Sequence, residues 1–231
     1  MRAIAIIPAR GGSRRLPGKN IKPFHDAPII AYAIRAALEY SAFTRVMTST
    51  DSREIAEVAT SFGAEVPFMR SARAADDHAT TVDVLLEVLD AYRERGEYFD
   101  LGCCIYPCNP FLTAEKLARG RQVLETRGYD CVFAATRYSH PVQRGFTIEA
   151  GRIALLFPEH RDTRSQDLPV VLHDAAQFYW FRVAALQAER ALWTGNTGCI
   201  EVPELEAQDI DTAEDWTLAE LKYQRWRARE A

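Results

Sequence analysis

No paired-thiol motif occurs in this chain. Its five cysteines (Cys103, Cys104, Cys108, Cys131 and Cys199) are odd in number among 231 residues, with no Cys-x-x-Cys spacing. A disulfide framework and a cysteine-based zinc site are therefore excluded, and reduced thiols in a cytoplasmic protein are expected. Cys103, Cys104 and Cys131 stand in apolar runs, where a cysteine acts as a small hydrophobe. No run of eighteen apolar residues is present, which excludes a transmembrane helix. The first residues lead directly into a strand-like run and a glycine loop rather than a signal-peptide pattern. Positive charge is not in excess: 28 Lys and Arg against 32 Asp and Glu leave −4, which argues against general nucleic-acid binding. Two common phosphate motifs are missing as well. Gly12 and Gly18 enclose five residues and Asn20 follows Lys19, so there is no Walker A loop, and no Gly-x-Gly-x-x-Gly occurs.

What is present begins near the start of the chain. Ile4-Ala5-Ile6-Ile7-Pro8-Ala9 reads as a buried strand of a parallel sheet. The next thirteen residues, Arg10 to Lys22, carry five cations (Arg10, Arg14, Arg15, Lys19 and Lys22) and no acid. Mutual repulsion of that many cations is costly unless an anion shares the space. The adjacent Gly11 and Gly12 let backbone N–H groups approach a ligand. A loop of this kind at the carboxyl end of a strand is where open α/β sheets bind phosphate. Arg10 and Arg15 can grip phosphate oxygens bidentately, while Lys19 offers a movable point charge.

Strand and helix signals then alternate. Helices are expected over 28–40, after Ser52 to Gly63, over 81–95, over 113–127 with Thr113 as cap, and over 212–231 with a Thr212/Asp215 capping box. Strands are expected at 45–50, 65–69 (an edge strand, because of Pro67), 102–106, 130–136, 177–181 and 199–202. This order implies one α/β domain over 1–231, doubly wound around a mostly parallel sheet. The rhythm breaks over 138–176, where only 146–148 and 153–157 read as strands; a long irregular insertion is usually functional or an interface. Along 177–181, Tyr179 and Phe181 share one face and Phe178 and Trp180 the other. His173 beside Asp174 reads as structural rather than as a catalytic dyad, because neighbours in a strand point apart.

Asp209-Ile210-Asp211 offers a second chemical site. In extended chain both carboxylates face one side and Ile210 faces the core. Two hard oxygen ligands beside a triphosphate suit Mg²⁺. Equally, two acids just before a helix favour its N-terminus.

The stretch Ile7 to Lys22 resembles the signature of the CMP-sialic acid synthetase (acylneuraminate cytidylyltransferase) family, which activates nonulosonic acids with CTP. The likeness extends over nearly the whole chain and implies a Rossmann-like nucleotidyltransferase that forms homodimers. It assigns the CTP phosphates to Ala9, Arg10, Gly11, Gly12, Ser13, Lys19 and Asn20, with Arg10, Arg15 and Lys19 catalytic; Arg14 stands where lysine is commoner. Asp-Ile-Asp-Thr followed by Glu-Asp-Trp matches the family's metal motif, which favours Mg²⁺ at Asp209 and Asp211 over the helix-end reading. Arg70 and Thr80, with Asp77 and Thr81 nearby, resemble a segment beside the cytidine, although Ser71 replaces a proline.

A nonulosonic acid brings a carboxylate that a guanidinium meets best, and Arg164 in Arg164-Ser165-Gln166-Asp167-Leu168-Pro169 is the candidate; a plain surface Arg–Asp loop is the alternative. Tyr138 to Arg144, with His140, Gln143 and Arg144, and His173 to Trp180, with Gln177 and Tyr179, resemble the pseudaminic acid branch, except that Ala176 stands where glycine is usual. Tyr106-Pro107-Cys108 replaces the Gln-Pro-Thr of sialic acid synthetases, so Tyr106 is counted as sugar-binding. The segment 138–176 is thereby expected to serve dimerisation and sugar binding. Alternatives are the same transfer to legionaminic acid, N-acetylneuraminic acid or Kdo, or a nucleotide-binding module without turnover.

Overall fold

In a computed structural model the chain is described over residues 1–231 apart from Arg14, Asp77 and Ala231, with Glu230 by its backbone alone. The expectations for Arg14 and Asp77 therefore lie outside the described residues. Elements follow in the order β1 (Ala3–Pro8), β2 (Pro23–Phe24), β3 (Ala27–Pro28), α1 (Ile30–Glu39), β4 (Arg45–Ser49), α2 (Arg53–Ser61), α3 (Ala72–Ala75), α4 (Thr81–Glu94), β5 (Leu101–Ile105) and α5 (Ala114–Arg127). They continue with β6 (Cys131–Arg137), β7 (Phe146–Glu149), β8 (Arg152–Leu155), β9 (Leu172–Arg182), α6 (Val183–Glu189), β10 (Thr197–Glu201) and α7 (Ala213–Glu230).

The main sheet has the order β10-β6-β9-β5-β1-β4. β1 pairs in parallel with β4 and β5, and β10 with β6; β9 runs antiparallel to both β5 and β6. One face of the sheet buries Phe178 and Trp180 with apolar residues of α1, α2 and α5. The other buries Tyr179 and Phe181 with Leu85, Val88 and Leu89 of α4 and Leu186 of α6. Helices on both faces make the sheet doubly wound, and the alternation expected along β9 holds. Close packing leaves no room for a side chain at Gly102, where a Cβ would sit 2.2 Å from the Phe181 ring.

Local chemistry explains the helix ends. Thr80 accepts a hydrogen bond from the Asp83 N–H and Asp83 from the Thr80 N–H, a full capping box for α4. Thr113 caps α5, which ends at Gly128 with φ +68°. α7 opens on the expected pair: Asp215 Oδ2 accepts from the Thr212 N–H at 2.8 Å, and Thr212 Oγ1 from the Asp215 N–H at 3.2 Å.

Some expectations fail. Residues 65–69 form a single bridge, Met47 to Glu65, because Pro67 stops the ladder. α1 begins at Ile30, since Pro28 is taken up by the β2–β3 hairpin. β9 begins at Leu172, earlier than 177, and its register against β6 shifts between Phe133 and Ala135. At that bulge Ala176 is left-handed, φ +51°. The remainder of the insertion holds the β7–β8 hairpin and short 3₁₀ turns.

Candidate active site

The loop after β1 is built by close approach and by side-chain braces. Gly11 donates its N–H to Asp51 Oδ1 at 2.8 Å, and a Cβ at Gly11 would lie 3.2 Å from that of Ser52. Ala9 donates to the Ser49 carbonyl at 2.9 Å, which ties the loop to the end of β4. Asn20 is buried and donates from Nδ2 to the Arg10 carbonyl at 2.9 Å. Cys108 donates its S–H to Asn20 Oδ1 at 3.3 Å, and burial pushes that thiol up to about 12, which keeps it a donor.

Across from the loop stand Asp209 and Asp211. Ile210 is sealed in a third core with Phe24, Tyr32 and Trp216, so the two acids face the opposite side. Asp211 Oδ2 lies 2.7 Å from Arg15 Nη2, and Oδ1 lies 3.2 Å from Lys19 Nζ, which also donates to the Ile210 carbonyl at 2.5 Å. The α7 end is already capped by Thr212 and Asp215, and the Asp211 N–H donates to Asp215 Oδ2 at 3.1 Å. The Asp211 carboxylate is thus engaged with the loop cations rather than with the helix end. Burial, then the nearby charge of Asp211, hold the Asp209 carboxyl above its ordinary value of 3.8, against the pull of Lys19.

These groups line a cavity of about 420 Å³ that takes in Arg10, Ser13, Arg15, Lys19, Asn20, Tyr106, Cys108, Ala176, Asp209 and Asp211. A recess of about 260 Å³ shares its Pro8, Arg10 and Tyr106 walls and adds Arg70, Thr80 and Thr81. Arg70 is held by Ser49, Nε to Oγ at 3.0 Å and Nη2 to the carbonyl at 2.6 Å. A third recess of about 410 Å³ shares Asp209 and Asp211 and adds Tyr138, Ser139, His173 and Asp174.

Other expected residues lie apart from the central cavity. Tyr179 is in the second core, behind Tyr106, with ring centroids 5.5 Å apart; its hydroxyl donates to Asp174 Oδ2. Gln177 donates to the Glu206 carbonyl at 2.5 Å, and Gln143 to the Pro169 carbonyl at 3.0 Å. Arg144 donates to the carbonyls of Arg161, at 2.7 Å, and Thr163, which closes the insertion on itself. His140 and Arg164 are exposed on the insertion. Gly12 is exposed at the loop tip. Asp51 and Cys108 escape a reading of the sequence: each braces the loop from a different strand end, and only the parallel order of β4, β1 and β5 brings them there. Among the described residues no three acids, histidines or cysteines converge as a metal cluster.

A cationic, glycine-bearing loop at the carboxyl end of a parallel strand, facing paired carboxylates across one cavity, is an arrangement of the nucleotidyltransferase class. Residues 4–190 match the family model described as cytidylyltransferase, and the chain belongs to that family. It is 34% identical over 224 residues to a pseudaminic acid cytidylyltransferase of Campylobacter jejuni, covering 96% of this chain and 97% of that protein. It is 30% identical over 227 residues to a CMP-N,N'-diacetyllegionaminic acid synthase of Legionella pneumophila, with 95% of each covered. A solved structure of CMP:2-keto-3-deoxy-manno-octonic acid synthetase complexed with CTP shares the fold, with a TM-score of 0.71 at 18% identity over all of both chains. The resemblance to the CMP-sialic acid synthetases is thereby borne out.

Proposed function

We propose that this chain transfers CMP from CTP to the anomeric hydroxyl of a nonulosonic acid, pseudaminic acid, with release of pyrophosphate. The observation that carries this reading is the cavity in which Arg15 and Lys19 face Asp211. The substrate assignment follows the relatives named for pseudaminic acid, which span almost the same length. The three recesses in a row then hold nucleoside, triphosphate and acid. Arg70 and Thr80 line the nucleoside recess. Arg10, Ser13, Arg15 and Lys19 hold the triphosphate, and the Gly11–Gly12 backbone lets it approach. When the sugar hydroxyl attacks the α-phosphorus, a new O–P bond forms, the bond to the β-phosphate oxygen breaks, and the hydroxyl proton is lost. The loop cations meet the charge that gathers on the leaving pyrophosphate.

Asp209 and Asp211 fit a divalent cation such as Mg²⁺: the donor set is two carboxylates beside the loop proposed for phosphate, and burial with the second acid holds the Asp209 carboxyl up despite Lys19. Bound there, Mg²⁺ would neutralise phosphate charge. The third recess, with Tyr138 and His173, receives the acid. The β7–β8 hairpin exposes an apolar surface, Phe146 at 53%, Ile148 at 73% and Ile153 at 66%, which supports a homodimer through the insertion and brings Arg164, His140 and Arg144 toward a sugar site shared between copies. Among the described residues no helix is long and apolar enough to cross a membrane, and all five thiols are free, which fits a reducing compartment such as the cytoplasm.

The test is pyrophosphate release from CTP and Mg²⁺ over a panel of pseudaminic, legionaminic, N-acetylneuraminic and Kdo substrates. Turnover with pseudaminic acid at the highest kcat/KM is expected. Tight CTP binding with no release from any acid would establish a binding module instead.

A further inference from the structure

Lys222, on α7, lines the recess given above to the acid substrate, beside Asp209, Asp211 and Asp215, and the reaction as derived leaves it without a task. One arginine and one lysine reach that recess, and their charges are differently employed. Arg137 is engaged by Glu201, Nε to Oε1 at 2.6 Å and Nη2 to Oε2 at 3.2 Å. Lys222 donates from Nζ to two carbonyls, Ala207 at 2.8 Å and Glu204 at 3.1 Å, and forms no ion pair among the described residues. An ammonium has three N–H donors, so one remains for a ligand. Burial holds Lys222 below its ordinary value of 10.5, against the charge of Glu204, as befits a cation drawn out of water without a close counter-charge.

The acids around it have partners already. Asp211 meets Arg15 and Lys19, and Asp215 accepts the N–H groups of Asp211 and Thr212 at the start of α7. Asp174 accepts the Ala176 N–H at 2.8 Å and the Tyr179 hydroxyl. Such a wall of acids repels a substrate that brings its own carboxylate, unless a cation meets it. Position agrees with charge. In a nonulosonic acid the carboxylate and the attacking hydroxyl share one carbon, so the carboxylate must lie close to the α-phosphorus and the metal pair. The Ala207 carbonyl fixes the ammonium beside the run that leads into Asp209, and residues 215 and 222 share one face of α7. We infer, on the cytidylyl-transfer reading, that Lys222 binds the carboxylate of the acid substrate with its third N–H and so selects an acid over an uncharged sugar. The expected partner Arg164 lines none of the three recesses.

A carboxylate contact is told from a merely structural one by removing the charge from either partner. The ligands are the acid of the panel that turns over best and its C1 carboxamide. Pyrophosphate release by the full chain with Mg²⁺ gives KM for the acid and for CTP, and the inhibition constant of the carboxamide. The proteins are wild type, Lys222→Met, Lys222→Arg and Arg164→Met. Wild type should bind the acid about 10- to 100-fold more tightly than the carboxamide, the range of one hydrogen bond to a charged group. Lys222→Met should raise KM for the acid by that factor, with the carboxamide within about threefold and KM for CTP within about twofold of wild type, so that the preference disappears. Lys222→Arg should restore most of the preference, because it keeps the charge, and Arg164→Met should leave it intact. If loss of the bonds to Glu204 and Ala207 unsettles Lys222→Met in melting scans, Lys222→Gln, which can still donate to a carbonyl, carries the same expectations. Equal weakening of acid and carboxamide, an unchanged KM for the acid, or a preference lost in Arg164→Met alone would overturn this role of Lys222 and leave cytidylyl transfer standing. Absence of pyrophosphate release by wild type with every acid would overturn the cytidylyl-transfer reading, and this role with it.

Discussion

Replacing Asp211 by Asn should have opposite effects on CTP binding with and without Mg²⁺. The Asp211 carboxylate lies 2.7 Å from Arg15 and 3.2 Å from Lys19, the two cations proposed to take phosphate oxygens. The triphosphate must break both pairs. Arg15 is 68% exposed, Asp211 32% and Lys19 19%, so water screens them and each pair contributes only about 0.2–1 kcal/mol. Removal of the competing charge releases about 0.4–2 kcal/mol in all, which tightens CTP binding in EDTA by about 2- to 30-fold. Folding stability drops by the same small amount, with about 2–4 °C of Tm for each kcal/mol in a chain of this length. The α7 cap is untouched, because it rests on Thr212 and Asp215. With Mg²⁺ present a carboxylate ligand is lost, so pyrophosphate release should fall by about 10- to 100-fold or more, with partial rescue at raised Mg²⁺. The assay is calorimetric CTP titration in EDTA and in Mg²⁺, beside pyrophosphate release across a Mg²⁺ series. Weaker binding in EDTA, or wild-type rates at low Mg²⁺, would refute the competition between Asp211 and the triphosphate.

Asp209→Asn should raise the melting temperature near pH 7 and lose that gain as pH falls. The folded chain holds this carboxyl above its ordinary value of 3.8, so ionised Asp209 costs stability above its folded pKa, and the cost vanishes as protonation sets in on the way down to 3.8; an equal gain at pH 3.5 and pH 7.5 in melting scans would contradict this. Ala176→Gly should stabilise the chain by about 0.5–1 kcal/mol in denaturant melts, because φ +51° strains an alanine more than glycine's looser unfolded chain costs; a loss would show that the bulge tolerates Cβ without strain. Ile148→Ser with Ile153→Ser should give monomers by light scattering at micromolar concentration, if the exposed hairpin is the dimer seam; an unchanged mass would place the seam elsewhere.

The parts of the fold that could be read from the chain are those with a strong period or a chemical marker. β1 announces itself by Ile4, Ile6 and Ile7, α4 and α7 by their capping boxes, and the phosphate loop by charge without acid. Misreadings arise where tertiary context decides. Residues 23–28 form a hairpin despite two prolines, because it caps the third core over Trp216. α6 escapes notice because seven residues give barely two turns of pattern. The early start of β9 at Leu172 is hidden by the polar His173-Asp174 pair, of which Asp174 serves the bulge. At the site, Arg10, Ser13, Arg15, Lys19, Asn20, Tyr106, Asp209 and Asp211 converge as their motifs imply, since loop and strand ends share one edge of the sheet. His140, Arg144 and Arg164 stand off in the insertion, whose position relative to a second copy no single chain encodes.

The place of β9 has a consequence for how the chain is made. β5 and β6 follow one another in sequence yet never touch, because β9 fills the gap between them. During synthesis the N-terminal unit of β1, β4 and β5 can pair as soon as it emerges, but β6 waits for residues 172–182 to arrive. Until then β5 presents a bare edge and β6 two of them, all rich in apolar side chains, the kind of surface on which unfinished chains associate. Nascent chains halted between residues 137 and 171 should therefore depend most on chaperones, and release of protection should coincide with the emergence of Arg182.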